Sequence, residues 1–389
     1  MNGRGSTVLG VDIGGTFTDG FYVDEVNGVC GVAKVPSVRA NIELGFLDGI
    51  AAADAKPTDI ASVVHGTTVG TNTLLERKGA KTGLIVTKGF RDVLEMRRRD
   101  RPKTWGLWGS FQHVVSRDLS IEVDERTLAD GTILSPLDPT EVKVAAERLV
   151  ELGCEAVGIV FINSYANNNN ELAALEAVRT VWPNEHINAS SLILPEIREF
   201  ERASTTALNV CLQPILAPYL GRLRDKLAET GSDADLLIVQ SNGGVMSAET
   251  AGRLPVRTAL SGPAAGVIAG AYIAEAAGFS NIITCDMGGT SFDVALVSNG
   301  RSALALQTSI DFGLVIRNPM IEITTIGAGG GSIAWVDRGG FLQIGPESAG
   351  SDPGPACYGF GNDSPTVTDA NLVLGRINAD RPTGGKIER

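Results

Sequence analysis

Two stretches of the chain share one pattern of apolar and polar positions. The apolar run Thr7–Val11 leads into Asp12-Ile-Gly-Gly-Thr-Phe-Thr-Asp19, a second apolar run Gly20–Val23, and the pair Asn27-Gly28. The run Asn281–Cys285 leads in the same way into Asp286-Met-Gly-Gly-Thr-Ser-Phe-Asp293, Val294–Val297 and Asn299-Gly300. The Asp, Gly, Gly, Thr and Asp of the two copies stand at one offset of 274 residues. Asn-Gly between apolar runs is a strong hairpin signal. Each copy therefore predicts a strand, a Gly-Gly-Thr turn, a second strand, an Asn-Gly turn and a third strand.

Between the copies the periodicity changes. Helical spacing covers Asn41–Ala55, and a helix is expected over Asn72–Lys78 after the strand and polar turn Val63–Thr73. Gly83–Thr87 and Ala156–Ile162 read as strands, the latter apolar enough for a buried parallel sheet. Asp138-Pro139-Thr140-Glu141 carries a helix start, with a capping Asp, Pro in the first turn and a capping-box Glu. That helix ends at Gly153, and another spans Asn169–Trp182. Glu199–Thr230 is helical, and Pro214 and Pro218 are expected to break it into pieces. Leu236–Val239 is a strand, and Ser261-Gly-Pro-Ala-Ala-Gly266 opens a helix of small residues running to Gly278. Ile323–Ser332 ends in the Gly-rich turn Gly327–Ser332, and Gly345–Pro365 reads as loop. Alternating strands and helices imply an α/β protein.

Composition narrows the classes of function. A chain of 389 residues implies two or more domains. We divide it into 1–198, with the first hairpin, and 199–389, with the small-residue helix, the second hairpin and the Gly-rich turn. A net charge of −12 argues against general nucleic-acid or membrane-surface binding. Five scattered cysteines, Cys30, Cys154, Cys211, Cys285 and Cys357, argue for a reducing, cytoplasmic setting. Cys285, inside an apolar strand, is expected in the core, and packing is the favoured reading for Cys357. The N-terminus lacks a signal-peptide core, and no apolar run suits a membrane helix.

The repeated turn suits phosphate and metal. Paired glycines let the backbone approach an oxyanion, and successive N–H groups can form an anion-binding concavity. Gly14, Gly15 and Thr16, with Gly288, Gly289 and Thr290, are the candidate cradle for β- and γ-phosphates. Asp12 and Asp286 are the candidate Mg²⁺ carboxylates, the metal preferring oxygen ligands and keeping its waters. Asp19 and Asp293 either contact metal or hold the turns. One such turn is weak evidence of function, but two in register can clamp a polyphosphate. The turn with Gly329, Gly330 and Gly331 either meets the adenine or ribose side of a nucleotide or tightens sheet packing. No Walker P-loop and no Gly-x-Ser-x-Gly elbow is present.

The order of these features resembles the actin, sugar-kinase and heat-shock-chaperone ATPase superfamily. Within it, six motifs together resemble the hydantoinase A / 5-oxoprolinase family: Asp12–Asp19, His65-Gly-Thr-Thr68, Ser261–Ala265, Asp286–Asp293, Gly327–Ser332 and Thr366-Val-Thr-Asp-Ala-Asn371. The resemblance covers essentially the whole chain. It implies an actin-like (ribonuclease H-like) α/β ATPase fold with duplicated mixed-sheet lobes. It also implies ATP and Mg²⁺ as cofactors and ATP-dependent opening of a cyclic amide such as a hydantoin, 5-oxoproline or a lactam. A hydantoinase B-type subunit would be the partner in a hetero-oligomer. Related family members are ATPase subunits of acetone and acetophenone carboxylases. A reading from another class is a nucleotide-dependent switch.

His65, one of three histidines, is on this reading a catalytic candidate near substrate or phosphates, against the commoner structural role; Thr67, Thr68 and Asn72 would donate beside it. The sequence departs from the family in two places. It lacks a later Gly-Gly-Ala-Gly-Pro-x-His segment, so a truncated C-terminus is expected. It also carries a basic run, Met96–Pro102, with Trp105 and Trp108 after it. Arg97, Arg98, Arg99 and Arg101 are candidates for a substrate anion, against the favoured reading of a solvated or partner-binding loop.

Overall fold

The computed structural model describes residues 7–13, 17–36, 42–52, 56–100, 112–289, 291–350 and 352–379. The first repeat forms β1 (Thr7–Ile13), β2 (Phe17–Asp24) and β3 (Val29–Pro36), an antiparallel meander turned at Gly28 with positive φ. Helix α1 (Ile42–Ala52) packs back on it, and β4 (Ile60–Thr67) pairs with β1 in parallel. Helix α2 (Val69–Leu75) follows at once. It begins earlier than the sequence suggests because the Thr67 hydroxyl accepts a hydrogen bond from the Val69 amide and starts the turn.

A second sheet uses β5 (Thr82–Thr87), β6 (Ser120–Val123), β7 (Ala156–Val160) and β8 (Ile187–Ala189), all parallel, in the order β8-β7-β5-β6. Helices α3 (Pro139–Glu151) and α4 (Asn169–Arg179) cover one face of it. Asp138 caps α3 through the Thr140 amide, but Glu141 accepts from the Asp124 amide instead of closing a capping box.

Helix α5 (Glu199–Glu229) is continuous through Pro214 and Pro218, against expectation. Tertiary packing overrides the two lost hydrogen bonds. Leu208, Leu212 and Leu216 sit in one core, and Tyr219, Leu220, Leu223 and Leu227 in the core beneath β1 and β4. Strands β9 (Asp235–Val239) and β10 (Val245–Ser247) then rejoin the first sheet, whose order is β10-β9-β4-β1-β2-β3. That sheet takes strands from either side of residue 198.

Helix α6 (Ser261–Ala276) leads to the second repeat: β11 (Ile282–Met287), β12 (Phe292–Ser298) and the short β13 (Arg301–Ser302). Asn299 and Gly300 both take positive φ, as the tight hairpin turn requires. The position beside β12 is taken mainly by β14 (Ile323–Ile326). Strands β15 (Ser332–Val336) and β16 (Leu342–Ser348) form a hairpin, so the start of the expected loop is strand. Helix α7 (Val367–Val373) is opened by a capping box between Thr366 and Asp369. Among the described residues no helix is long and apolar enough to cross a membrane.

Candidate phosphate and metal site

The two hairpins match in register. Asp12 lies opposite Asp19 across β1 and β2, and Asp286 lies opposite Asp293 across β11 and β12. In each copy the second carboxylate is tied to the residue facing it on the next strand. The Lys34 ammonium donates to Asp19 at 2.7 Å, and the Thr325 hydroxyl donates to Asp293 at 2.6 Å. These contacts offset the repulsion of like charges set directly across a strand pair. They tie Asp19 and Asp293 to the neighbouring strands. Burial raises the pKa of Asp293; the Thr325 bond opposes the rise and the charge of Asp286 adds to it.

Asp12 and Asp286 keep their carboxylates free: neither accepts a hydrogen bond from a described residue. The sheets bring them close enough for Asp286 to act on Asp12. The Asp12 carboxylate reaches solvent, yet it stands crowded among protein atoms. That crowding raises its pKa to about 6, the charges of Asp19 and Asp286 add to the rise, and Lys34 opposes it.

The space around Asp12 depends on glycine. Gly66 faces Asp12 in the β1–β4 register, and a Cβ there would meet Asp12 Oδ1 at 2.9 Å. A Cβ on Gly262, in the first turn of α6, would stand 3.8 Å from the same oxygen. Helix α6 is latched here, for Ser261 Oγ donates to the Thr67 carbonyl at 3.1 Å and the Leu260 amide donates to Thr71 Oγ1 at 2.9 Å. Thr68 Oγ1 donates to the Ile13 carbonyl at 3.3 Å. Sequence reasoning gave Gly66 and Gly262 no role. Their presence in the His-Gly-Thr-Thr and Ser-Gly-Pro-Ala-Ala motifs was the available signal.

His65 is not brought into this space. Side chains alternate along β4, so His65 points away from the face that Gly66 shares with Asp12. Its ring is fully buried against Phe46. Nδ1 lies 3.0 Å from the Val11 carbonyl and Nε2 lies 2.9 Å from the Tyr219 hydroxyl. Burial lowers its pKa to about 4, so the ring is neutral at ordinary pH. This placement corrects the catalytic expectation: His65 is a buried strut joining β1, β4 and α5. Asn72 lies on α2, with its backbone carbonyl bonded to Glu76.

The Gly-rich turn is braced to the second hairpin. The Gly330 amide donates to the Gly288 carbonyl at 2.8 Å, and the Gly331 amide to the Gly289 carbonyl at 2.7 Å. The Gly329 amide donates to Ser332 Oγ, and Thr368 Oγ1 donates to the Gly330 carbonyl. A Cβ on Gly331 would meet the Gly289 carbonyl at 2.9 Å. The amides of Gly329, Gly330 and Gly331 are therefore engaged within the protein, as the alternative of a turn that tightens sheet packing expects. Gly288 and Gly289 form the described part of the second turn. Gly14, Gly15, Thr16 and Thr290 lie outside the described residues.

Of the basic run, Arg98 pairs with the buried Glu201, and Arg97 pairs with Asp100 and lies over the Phe312 ring. Arg101, Trp105 and Trp108 lie outside the described residues. Cys285 is exposed rather than in the core, and all five cysteines are free thiols. Cys357 is exposed too, against the packing reading; crowding by neighbouring atoms, and then Asp369, still push its thiol up to about 11, which suits an unreactive group.

The described residues contain no cluster of three or more His, Cys, Asp or Glu fit to hold a metal alone. Two unshared carboxylates beside glycine turns do fit Mg²⁺, which takes one or two carboxylates and completes its shell with phosphate oxygens and water. Duplicated hairpins, the first on a mixed sheet and the second on a sheet that is antiparallel among the described residues, joined through a helix latched between them, define an actin-like ATPase fold.

Known proteins bear this out. Residues 8–182 match the family described as Hydantoinase/oxoprolinase N-terminal region, and residues 202–388 match Hydantoinase/oxoprolinase. Caprolactamase subunit alpha of Pseudomonas jessenii is 38% identical over 97% of this chain and 56% of its own length. The crystal structure of ATP-dependent caprolactamase from that organism superposes with a TM-score of 0.80 at 36% identity, covering 98% of this chain and 56% of the other. Nucleotide-free acetone carboxylase superposes with a TM-score of 0.82 at 30% identity, covering 99% and 57%. The chain thus spans a little over half the length of these relatives. It belongs to the hydantoinase/oxoprolinase family.

Proposed function

We propose that this chain is the ATP-binding part of an enzyme that opens a cyclic amide, such as a hydantoin, 5-oxoproline or a lactam, by phosphorylating the amide oxygen. A hydantoinase B-type partner would complete a hetero-oligomer in the cytoplasm. One observation carries the reading: the repeated hairpins bring Asp12 and Asp286 close enough for their charges to interact, and no described residue hydrogen-bonds either carboxylate. Family membership and the likeness to a caprolactamase subunit support the substrate class.

An amide resists attack because resonance makes its carbon a poor electrophile. Transfer of the γ-phosphoryl group of ATP to the amide oxygen, with ADP leaving, removes that resistance: water can then add to the carbon, the ring C–N bond can break with a proton going to nitrogen, and the acyl phosphate left is hydrolysed to carboxylate and phosphate. Such transfer asks the protein mainly for positioning and charge stabilisation. Asp12 and Asp286 would hold Mg²⁺, directly or through its waters, and the metal would neutralise phosphate charge. The turns Gly14-Gly15-Thr16 and Gly288-Gly289-Thr290 would face the β- and γ-phosphates. Gly66 keeps the space beside Asp12 clear, and Lys34 and Thr325 hold Asp19 and Asp293 against the neighbouring strands.

The likeness to acetone carboxylase supports a second reading, in which a ketone is the activated carbonyl. A screen of ATP hydrolysis with the co-purified partner against hydantoins, 5-oxoproline, caprolactam and aromatic ketones separates them. Stimulation by a cyclic amide is expected. Stimulation by ketones alone supports the second reading, and stimulation by none removes both.

A further inference from the structure

The second sheet carries a pocket that the phosphate chemistry does not use. It lies between β5, β7, the start of α5 and the single helical turn Val93–Met96. Its lining continues past the carboxyl ends of β5 and β7 to Phe90 and Ile162. The chain places β6 on one side of β5 and then β7 on the other. Parallel sheets bind ligands by preference at such a point, where the strand order changes direction.

Arg202 lines this pocket and is fully buried, yet no carboxylate of a described residue pairs with it. Nη2 donates to the Phe161 carbonyl at 2.6 Å and Nη1 to the Glu196 carbonyl at 3.4 Å, and the Tyr165 ring lies 5.9 Å away. Nε has no partner among the described residues. Glu171 is engaged elsewhere, by the amides of Phe161 and Ser191 and the Ser190 hydroxyl. A buried cation with an unused donor is costly unless a polar group meets it. Glu199, three residues earlier on the same helix, lines the pocket too, and its carboxylate accepts no hydrogen bond from a described residue. Residues at that spacing are neighbours on a helix surface. Arg91 also lines the pocket, but the Arg117 carbonyl and Asp118 hold it. The remaining wall is apolar, with Leu84, Val86, Val93, Leu94, Val160 and Ala203.

We propose that this pocket binds an α-amino acid with an apolar side chain. Its carboxylate accepts from Arg202 Nε, its ammonium donates to Glu199, and its side chain lies on the apolar wall. A simple anion or a simple cation would leave one of the two protein charges unanswered. The pocket holds about 20 Å³, the room of one water or one carboxylate oxygen, within about 350 Å³ of space that includes its open mouth. Seating the rest of the ligand shifts the wall at Val93–Met96. That turn has no fully buried residue, and it is followed by Arg97 and Arg99, both at positive φ. The site is separate from the phosphate cleft. Arg202 and Tyr219 stand seventeen residues apart on the continuous α5, about 25 Å along its axis, and it is Tyr219 that meets His65 beneath β1 and β4.

Isothermal titration of the native protein with leucine tests this, beside leucinamide, which lacks the carboxylate, and isocaproate, which lacks the ammonium. Leucine should bind with a Kd of about 1 mM or tighter, and each analogue about tenfold or more weakly than leucine. Glu199→Gln should weaken leucine about tenfold and leave isocaproate unchanged. Arg202→Lys should abolish leucine binding; if that variant does not fold, Glu199→Gln, at a half-buried position in the first turn of α5, decides. No leucine binding overturns the proposal. So does leucine binding that Glu199→Gln leaves unaltered, or an analogue that binds as tightly as leucine. Leucine binding lost on saturation with Mg²⁺–ATP puts the ligand in the phosphate cleft and also overturns it.

Discussion

The same Asp-x-Gly-Gly-Thr hairpin folds in two settings. In the first, β1 is central and its apolar side chains are buried. In the second, β11 is an edge among the described residues and the matching side chains meet solvent. The hairpin nonetheless takes the same register in both, with one Asp opposite another. Local turn chemistry and strand alternation therefore specify the hairpin, while burial comes from whatever packs on it. A phosphate turn of this kind is portable, and the stability around it is not.

Charge insertion at equivalent positions gives the largest contrast. Leu9→Lys places an unpaired ammonium in the core and should cost more than about 4 kcal/mol, enough to unfold the chain. Ile283→Lys in the lone chain should change stability by less than about 0.5 kcal/mol. Urea unfolding of both variants measures the difference, and equal losses would end the distinction between the two settings.

Next is the strut that only the first copy owns. His65 has a folded pKa of about 4 against 6.5 when free. Because the folded value is depressed, its contribution is complete above pH 6.5 and is lost as pH falls through 4. At about 1.4 kcal/mol per unit, the loss is roughly 3 kcal/mol. Denaturation midpoints between pH 7 and 4 should show this slope, and His65→Gln should lack it. The folded variant should keep its ATP turnover, since the ring does not reach the cleft.

Gly66→Ala tests the space beside Asp12. The new methyl group would stand 2.9 Å from Oδ1 and must push the carboxylate aside. Substrate-dependent ATP hydrolysis should fall about ten- to a hundredfold, equivalent to roughly 1.4–2.7 kcal/mol. Thermal stability should fall much less than for a core deletion.

The smallest effects concern the turn braces. Lys34→Met and Thr325→Val each remove one polar contact from a part-exposed carboxylate. Each should cost under about 1 kcal/mol in thermal unfolding.

Much of this arrangement was legible in the sequence. Both hairpins, the capped helix start at Asp138, the buried strand near Ala156 and the small-residue helix at Ser261 follow from periodicity and turn residues. Four features were not legible, because each is decided by distant packing. Pro214 and Pro218 signal breaks, yet two cores hold α5 as one rod. His65 could face either side of its strand, and only the β1–β4 register puts it in the core while Gly66 meets Asp12. The glycines of residues 329–331 could meet a nucleotide or tighten the sheet by sequence, and only the fold shows their amides turned toward Gly288, Gly289 and Ser332. Cys285 reads as core by sequence and is exposed because it shares the exposed sheet face of Ile283 and Met287.

The central claim is that Asp12 and Asp286 act together on one Mg²⁺–nucleotide complex. Its most direct measurement is Mg²⁺-dependent ATP hydrolysis by the complete enzyme, comparing wild type with Asp12→Asn and Asp286→Asn from pH 5 to 8. Each variant should lose about a thousandfold or more of turnover, or roughly 4 kcal/mol of transition-state stabilisation. Wild-type Mg²⁺ affinity should weaken as pH falls below about 6, where the Asp12 carboxylate takes up a proton. Turnover within tenfold of wild type in both variants would contradict the account.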